Sequence, residues 1–431
     1  MNLISDINKF RPYESHPIGW NCFQLGLFLL PSTAFLSGLF FLIALVLGSR
    51  NRELSYWKDV WNYPLFCSAL LMFIGCFTAR SEWLSWLGLV NWLPFFWAFW
   101  AFQPYLMNPH SRRFSALVLL TGTVPVLITG FGQIWFDWEG PWEFLGGLIT
   151  WHVVPDGQPL GRLSGLFDYA NIAGAWLAII WPLSLAALIH SFVERRNRFA
   201  SLFIVLAIAI AILLTDSRNA WGALALAIPF LSGTYTWIWL LPLLAFLVTP
   251  IVISSAPGFP FSIQEFFRFF VPEAIWERLS DIRFDRAIEA TRFNQWKLAV
   301  LFIFQRPFLG WGAAAFSIIY TEKTGLWHGH AHNLPLELAV SHGIPASLLI
   351  VGMVLTLLYQ SLRKGVISKK CRLEDRLGTI FFDRAWWTAV LIIIFLHSFD
   401  IPLFDSRINI LGWVLLAGLR CYIKPSTDFN S

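Results

Sequence analysis

The sequence predicts an all-α polytopic membrane protein, a transmembrane bundle of about 11–12 helical spans with a large outer (periplasmic) loop. Three observations carry this. Of 431 residues, 57% are hydrophobic and 13% charged, whereas soluble domains carry about 25% charged residues. The apolar residues fall in long continuous runs, without the period-two alternation of a β-barrel. Aromatic residues reach 17%, with 24 Trp and 41 Phe, which suits a chain that meets lipid headgroups repeatedly. The net charge of +5 is too small and too evenly spread to call for nucleic acid. The cysteines Cys22, Cys67, Cys76, Cys371 and Cys421 form no CxxC pair, and four lie in or beside apolar runs. Neither a disulfide framework nor a zinc knuckle is therefore expected. No cleavable signal peptide is expected, because the first apolar run is far longer than an h-region.

Taken in order, the run 22–48 reads either as one tilted helix or as two short helices turning at Pro31-Ser32. Spans follow at 62–79, 83–102, 114–135, 166–193, 199–215, 219–232, 234–253, 334–361, 385–399 and 408–421. Orientation comes from the basic loops. Arg112-Arg113, Arg195-Arg196-Asn197-Arg198 and the loop 362–384, with Arg363, Lys364, Lys369, Lys370, Arg372, Arg376 and Arg384, belong to the cytoplasm. Loop 136–165 sets Asp137, Glu139, Glu143 and Asp156 against Arg162 and lies on the other side. Alternation then puts Asp216–Arg218, residues 254–333 and Asp400–Arg407 on that outer face. Keeping the Lys9/Arg11 end inside requires a hairpin at 22–48, which favours twelve spans. The chain 1–431 is thus expected to be one integral-membrane domain, with outer loops at 136–165 and 254–333 and a basic cytoplasmic loop at 362–384. Residues 263–279 mix apolar and charged side chains as an interfacial helix does. No clear internal repeat appears.

The polar residues that need explaining collect on the predicted outer face. Arg218, at a span end after Asp216-Ser217, either snorkels to headgroups or pairs with Asp216, or takes an anion, since guanidinium binds phosphate through two parallel hydrogen bonds. Arg292 and Trp296 are four apart and share a helical face, so the Arg either stacks on an interfacial Trp or serves a site. Gly310 and Gly312 around Trp311 mark a tight turn or a close backbone approach. In Trp327-His328-Gly329-His330-Ala331-His332-Asn333, three histidines at alternate positions point one way if the backbone is extended. Three readings stay open there: interfacial histidines, a metal site and a general base. No cysteine or carboxylate lies nearby in sequence to complete a tetrahedral site, which makes metal the weakest of the three readings, and no metal or cofactor is assigned. Asn333 is placed either to hold a histidine ring or to cap the following helix. The segment Gly161-Arg162-Leu163-Ser164-Gly165, with Asp168 and Asn171, leads into a span of small residues. Trp135, Trp138, Trp142 and Trp151 upstream read as interface anchors or as stacking platforms for sugars.

Absences narrow the chemistry. There is no GxxxxGK[ST] loop and no GxSxG elbow. Outward-facing arginines and histidine, where nucleotides are scarce, call for a donor already activated in the membrane, such as a lipid diphosphate.

With these residues assembled, the chain resembles the bacterial O-antigen ligase family, which also contains O-antigen polymerases. The resemblance rests on Gly161-Arg162-Leu163-Ser164-Gly165 with Asn171, Ser217-Arg218, and Arg292 with Trp296. It continues through Pro307-Phe308-Leu309-Gly310-Trp311-Gly312 with Phe316, Ala331-His332-Asn333 with Gly343, and Asp400 before a closing span. These pieces occupy roughly 160–405 in order. The resemblance implies a twelve-helix membrane bundle in the bacterial inner (plasma) membrane. It implies a glycosyltransferase, independent of metal and ATP, that moves a glycan from undecaprenyl diphosphate to a glycan or lipid acceptor. By resemblance, Arg218 and Arg292 hold the diphosphate, His332 is the base, and Arg162, Asn171, Trp296, Asn333 and Asp400 are candidate substrate-binding residues. The pattern does not require His328 and His330. Some family members are linked to inorganic-carbon accumulation, so the alternatives are a polymerase and, in a different class, a small-anion (bicarbonate) transporter using the same arginines.

Overall fold

The computed structural model describes residues 9–50, 56–195, 197–256, 258–280, 291–368 and 378–423. Cys371, residues 369–377 of the basic loop, Arg196 and residues 281–290 of the large loop lie outside the described residues. The fold is all-α. Among the described residues the one sheet is a two-stranded hairpin, Trp142–Phe144 against Ile149–Trp151. Five helices are long and apolar enough to cross a membrane: Pro109–Trp135, Ala170–Val193, Thr234–Ser255, Leu334–Arg363 and Thr379–His397. Shorter apolar helices cover Ala34–Arg50, Asn62–Cys76 and Arg198–Leu214. The chain is a multi-pass membrane protein.

The run 22–48 is two helices, Pro17–Leu29 and Ala34–Arg50, turning at 30–33. Pro31 cannot donate to the ladder, and the amides of Ser32 and Thr33 turn back to the Leu29 carbonyl at 3.0 and 2.9 Å. The stretch 83–102, expected as one span, is instead broken into Trp83–Gly88, a 3-10 turn Leu89–Asn91 and Leu93–Ala101. Trp92 leaves helical geometry (φ −127°, ψ −56°), and Pro94 opens the second piece, where its missing N–H costs nothing. The interfacial segment 263–279 is two short helices, Phe261–Arg268 and Glu273–Ser280, with Phe266, Phe269 and Phe270 exposed and Arg268 stacked 4.3 Å from the Trp276 ring centre.

The Ala170–Val193 helix is the hub, with Trp176 and the run Leu177–Ile180 fully buried. It packs on Arg198–Leu214, Arg218–Ser232 and the Gly378–His397 helix. At about 1.5 Å per residue its 24 residues cover about 36 Å, enough for a hydrocarbon core of about 30 Å. Trp237–Ser255 lies at the other extreme, almost wholly exposed along its apolar length, as a helix facing lipid must be.

Ion pairs gather at the two ends of the bundle. One end joins Arg112 to Asp383 (2.8 Å), Arg113 to Glu194 (3.6 Å) and Arg420 to Asp59 (3.1 Å), while Arg384 donates to the carbonyls of Leu231 and Ser232. At or beyond the opposite ends of the Ala170–Val193, Arg218–Ser232 and Gly378–His397 helices stand Arg162, Arg218 and Asp400, and His332 precedes the Leu334–Arg363 helix.

The Leu334–Arg363 helix is kinked at Gly343 (φ 84°, ψ 163°). Pro345 has no N–H for the Ser341 carbonyl, and the 307–312 segment fills the gap. Gly312 N–H donates to Ser341 O (2.9 Å), Trp311 N–H to Val340 O (2.8 Å), and Ile344 N–H to Pro307 O (2.7 Å). A Cβ on Gly343 would collide with the Phe308 carbonyl. Gly343→Ala is therefore expected to lose at least the ~1–3 kcal/mol of a non-glycine residue forced into this backbone region. Thermal unfolding of the purified protein in detergent checks this, and a wild-type midpoint would show that the two segments separate freely.

Candidate active site

The His-rich loop is set by the helix it precedes. Asn333 caps that helix, its Oδ1 accepting Leu336 N–H at 3.0 Å, while its Nδ2 donates to the Ser398 carbonyl at 3.0 Å. Of the two expected uses of Asn333, the structure thus takes the cap. One turn on, buried Glu337 reaches back to accept Ala331 N–H (2.9 Å) and the Ser341 hydroxyl (3.0 Å). The backbone between His330 and His332 is therefore tied to the helix. His332 itself is left-handed (φ 50°), so the backbone turns at this residue.

Asp400, not Asn333, holds the ring. His332 Nδ1 lies 2.9 Å from Asp400 Oδ1, which also accepts Ile401 N–H at 2.9 Å. Burial alone would raise the Asp400 carboxyl, but the hydrogen bond and charge of His332 outweigh it and hold it down to about 2. The carboxylate is consequently an acceptor only, so Nδ1 carries the hydrogen and a neutral His332 keeps its lone pair on Nε2. Expected among substrate-binding residues, Asp400 here engages the histidine.

The other two histidines part company. His330 stays with His332, ring centres 4.2 Å apart, and its Nδ1 accepts the His332 backbone N–H at 3.2 Å. Burial, then the charges of His332 and Arg292, push His330 down to about 4, against the opposing pull of Asp400. His328 turns away to Gln295 (3.3 Å) and to the edge of Tyr320. The left-handed turn at His332 breaks the extended alignment, and two of the three rings come together.

The arginines sit at helix starts. Arg218 opens Arg218–Ser232 after a left-handed Asp216 (φ 50°). Arg292 opens Arg292–Gln305 behind the capping hydroxyl of Thr291, within electrostatic reach of His330. Both are half-buried. A cation at the positive end of a helix gains nothing from the helix itself, so guanidinium and helix end together favour an anion. Asp216, one of the expected partners of Arg218, is ion-paired with Arg278: Arg278 Nε lies 2.9 Å from its carboxylate and donates to its carbonyl at 3.1 Å. Arg162 and Asn171 come together at 2.6 Å, and Arg162 Nε also caps the Thr215 carbonyl at 2.8 Å. That pair fixes the turn carrying Arg218. From the same loop, Leu166 O accepts from Arg407, which pairs with Asp405 and stacks 3.9 Å from the Phe167 ring centre. The chain of contacts runs from there through Phe404, which packs on His330.

Trp296 packs on Phe399, and its indole Nε1 is buried with no hydrogen-bond acceptor among the described residues. A buried unpaired donor is costly, and a sugar or phosphate oxygen would satisfy it. Beside Asn333 and Ser398, an apolar cavity of about 120 Å³ opens between the Leu334–Arg363, Gly378–His397 and Ser406–Ile423 helices, lined by Leu334, Pro335, Val390, Ile394 and Trp413.

Sequence reasoning did not single out Arg278, Glu337 or Gln133. Gln133 bonds Val154 O and Ser164 Oγ, and its Oε1 accepts from Gly165 N. Glu337 and Gln133 carried a readable signal as lone polar residues inside apolar spans. Arg278 lay in an amphipathic segment indistinguishable from a lipid-surface helix.

Residues 202–351 match the family model described as O-Antigen ligase. A search of curated proteins finds no match to the chain.

Proposed function

We propose that this chain, whose residues 202–351 match the O-antigen ligase family model, is a glycosyltransferase that moves a glycan from a polyprenyl diphosphate to an acceptor hydroxyl at the outer face of the inner membrane. The domain match supports a membrane enzyme of the ligase and polymerase kind. The donor, acceptor and sidedness are our reading. The observation that carries the mechanism is the His332–Asp400 pair at 2.9 Å, beside Arg292.

The acceptor hydroxyl gives its proton to His332 Nε2 as its oxygen attacks the anomeric carbon. The bond from that carbon to the diphosphate oxygen breaks, the lipid diphosphate leaves with the electron pair, and attack from the opposite face inverts the centre. Asp400 fixes the tautomer and steadies the imidazolium, as the carboxylate of a catalytic triad does. Arg218 and Arg292 stabilise charge growing on the leaving diphosphate. Trp296 offers its indole N–H to a donor oxygen, and the apolar cavity beside Asn333 suits hydrocarbon. The basic end built on Arg112, Arg113 and Arg384 faces the cytoplasm by the positive-inside rule. A transporter would need charged groups along its spans, whereas the ion pairs described here lie at the ends.

Mass spectrometry of organic extracts from the purified protein is expected to reveal a co-purified polyprenyl diphosphate, and extracts holding only bulk phospholipid would count against this donor. Ligase and polymerase differ only in the acceptor. We expect a reconstituted reaction to give single transfer to the acceptor, and a ladder of repeat units would reassign the enzyme as a polymerase.

A further inference from the structure

We infer that His330, His332 and Asp400 form a binding site for a divalent transition-metal ion of the zinc type, and that an ion held there switches the enzyme off. The second half rests on His332 being the base; the first does not. One ligand atom from each of the three side chains lies within 4.8 Å of the others. A tetrahedral zinc site with bonds of about 2.0–2.1 Å has ligand separations of about 3.4 Å, so closure needs side-chain adjustment only. His332 Nδ1 and Asp400 Oδ1, 2.9 Å apart, already stand near that spacing. The carboxylate missing from the local sequence arrives from the far end of the Gly378–His397 helix.

Two imidazoles and a carboxylate suit zinc, copper(II) or nickel, not the oxygen cages of magnesium or calcium. Three protein ligands leave a fourth position for water. The supports behind the ligands are in place, as metal sites require. Ile401 N–H holds Asp400, and Glu337 fixes the Ala331 amide between the two histidines. His328 is excluded by its turn toward Gln295 and Tyr320. Arg292 lies close enough to oppose a cation, so occupation is reversible.

Metal and base compete for one ring. Coordination through His332 Nε2 takes the lone pair the acceptor hydroxyl needs. Coordination through Nδ1 displaces the hydrogen bond to Asp400 and leaves the ring proton on Nε2, where it again blocks proton uptake. His330 joins through Nδ1 in exchange for the 3.2 Å bond from the His332 amide, or through Nε2.

The test is zinc chloride titrated into the full-length protein in detergent against a fluorescent zinc indicator, with X-ray absorption reporting the ligands. About one zinc per chain with nitrogen and oxygen ligands is expected. Binding should weaken at least tenfold in His330→Ala, in His330→Gln and in Asp400→Asn, and stay unchanged in His328→Ala and Cys67→Ser. Zinc that does not bind, binds through sulfur, or binds equally to the His330 variants overturns the site. In transfer assays zinc should inhibit the wild type, a chelator should restore it, and His330→Ala should turn over without responding to zinc. If the binding arm succeeds but bound zinc leaves transfer untouched, the switch is overturned and the base assignment falls with it, while the metal site stands.

Discussion

Arg218→Ala and Arg292→Ala are each expected to lower transfer on the order of 10²–10³-fold, the usual consequence of deleting one preorganised electrostatic contact to a developing charge. The physical case rests on where the two guanidinium groups are built. Each is the first residue of a helix, Arg218–Ser232 and Arg292–Gln305, where the backbone dipole already favours an anion and repels a cation. A structural arginine belongs more naturally at a helix C-terminus. The turn before Arg218 is also fixed from two directions, by Arg162 on the Thr215 carbonyl and by Arg278 on Asp216. That framework fixes the turn from which Arg218 projects before any substrate arrives, and preorganisation of the backbone is what makes such a contact effective. Lysine should rescue either position only partly, since it offers a point charge in place of a planar fork. Undiminished turnover in both alanine variants would remove the arginines from the chemistry.

How much of this was legible in the sequence depends on distance along the chain. Pro31 announced its turn locally and the hairpin stands there, whereas the kink at Gly343 falls inside a run expected as one continuous span. Pro94 gave the same kind of signal inside 83–102 and was outweighed by the apolar run around it, because hydropathy over a window reports lipid solubility and not helix continuity. The 307–312 segment signalled a tight turn or close backbone approach through Gly310 and Gly312, but not its partners, the Ser341 carbonyl freed by Pro345 and the neighbouring Val340 carbonyl. Pairings at long range were invisible. His332 and Asp400 are 68 residues apart, and Arg278 is 62 from Asp216. Each residue type was readable, while the contact depends on helix packing that no local pattern records. Asn333 shows the same limit in reverse: a local cap was one of its two readings, and the local one holds.

His332→Ala is expected to abolish transfer, while His328→Ala and His330→Ala cost little. The asymmetry follows from the geometry, since only His332 is oriented by a carboxylate that leaves Nε2 as the acceptor, and His328 faces Gln295 and Tyr320. Asp400→Asn should retain much of the ring's placement yet lower turnover sharply, because an amide in that position can fix the wrong tautomer and cannot balance an imidazolium. The pH dependence separates the partners. Asp400 is held at about 2, below its ordinary 3.8, so any stability its ionisation contributes is present above the unfolded value and is lost only as pH falls through about 2. A decline in transfer at mildly acidic pH, with the fold intact by thermal unfolding, must therefore come from a group other than Asp400. Chelation should leave this activity in place. Transfer that stops on chelation and returns with zinc, with all three histidine variants failing alike, would make the cluster a catalytic metal centre and end the case for a free imidazole base.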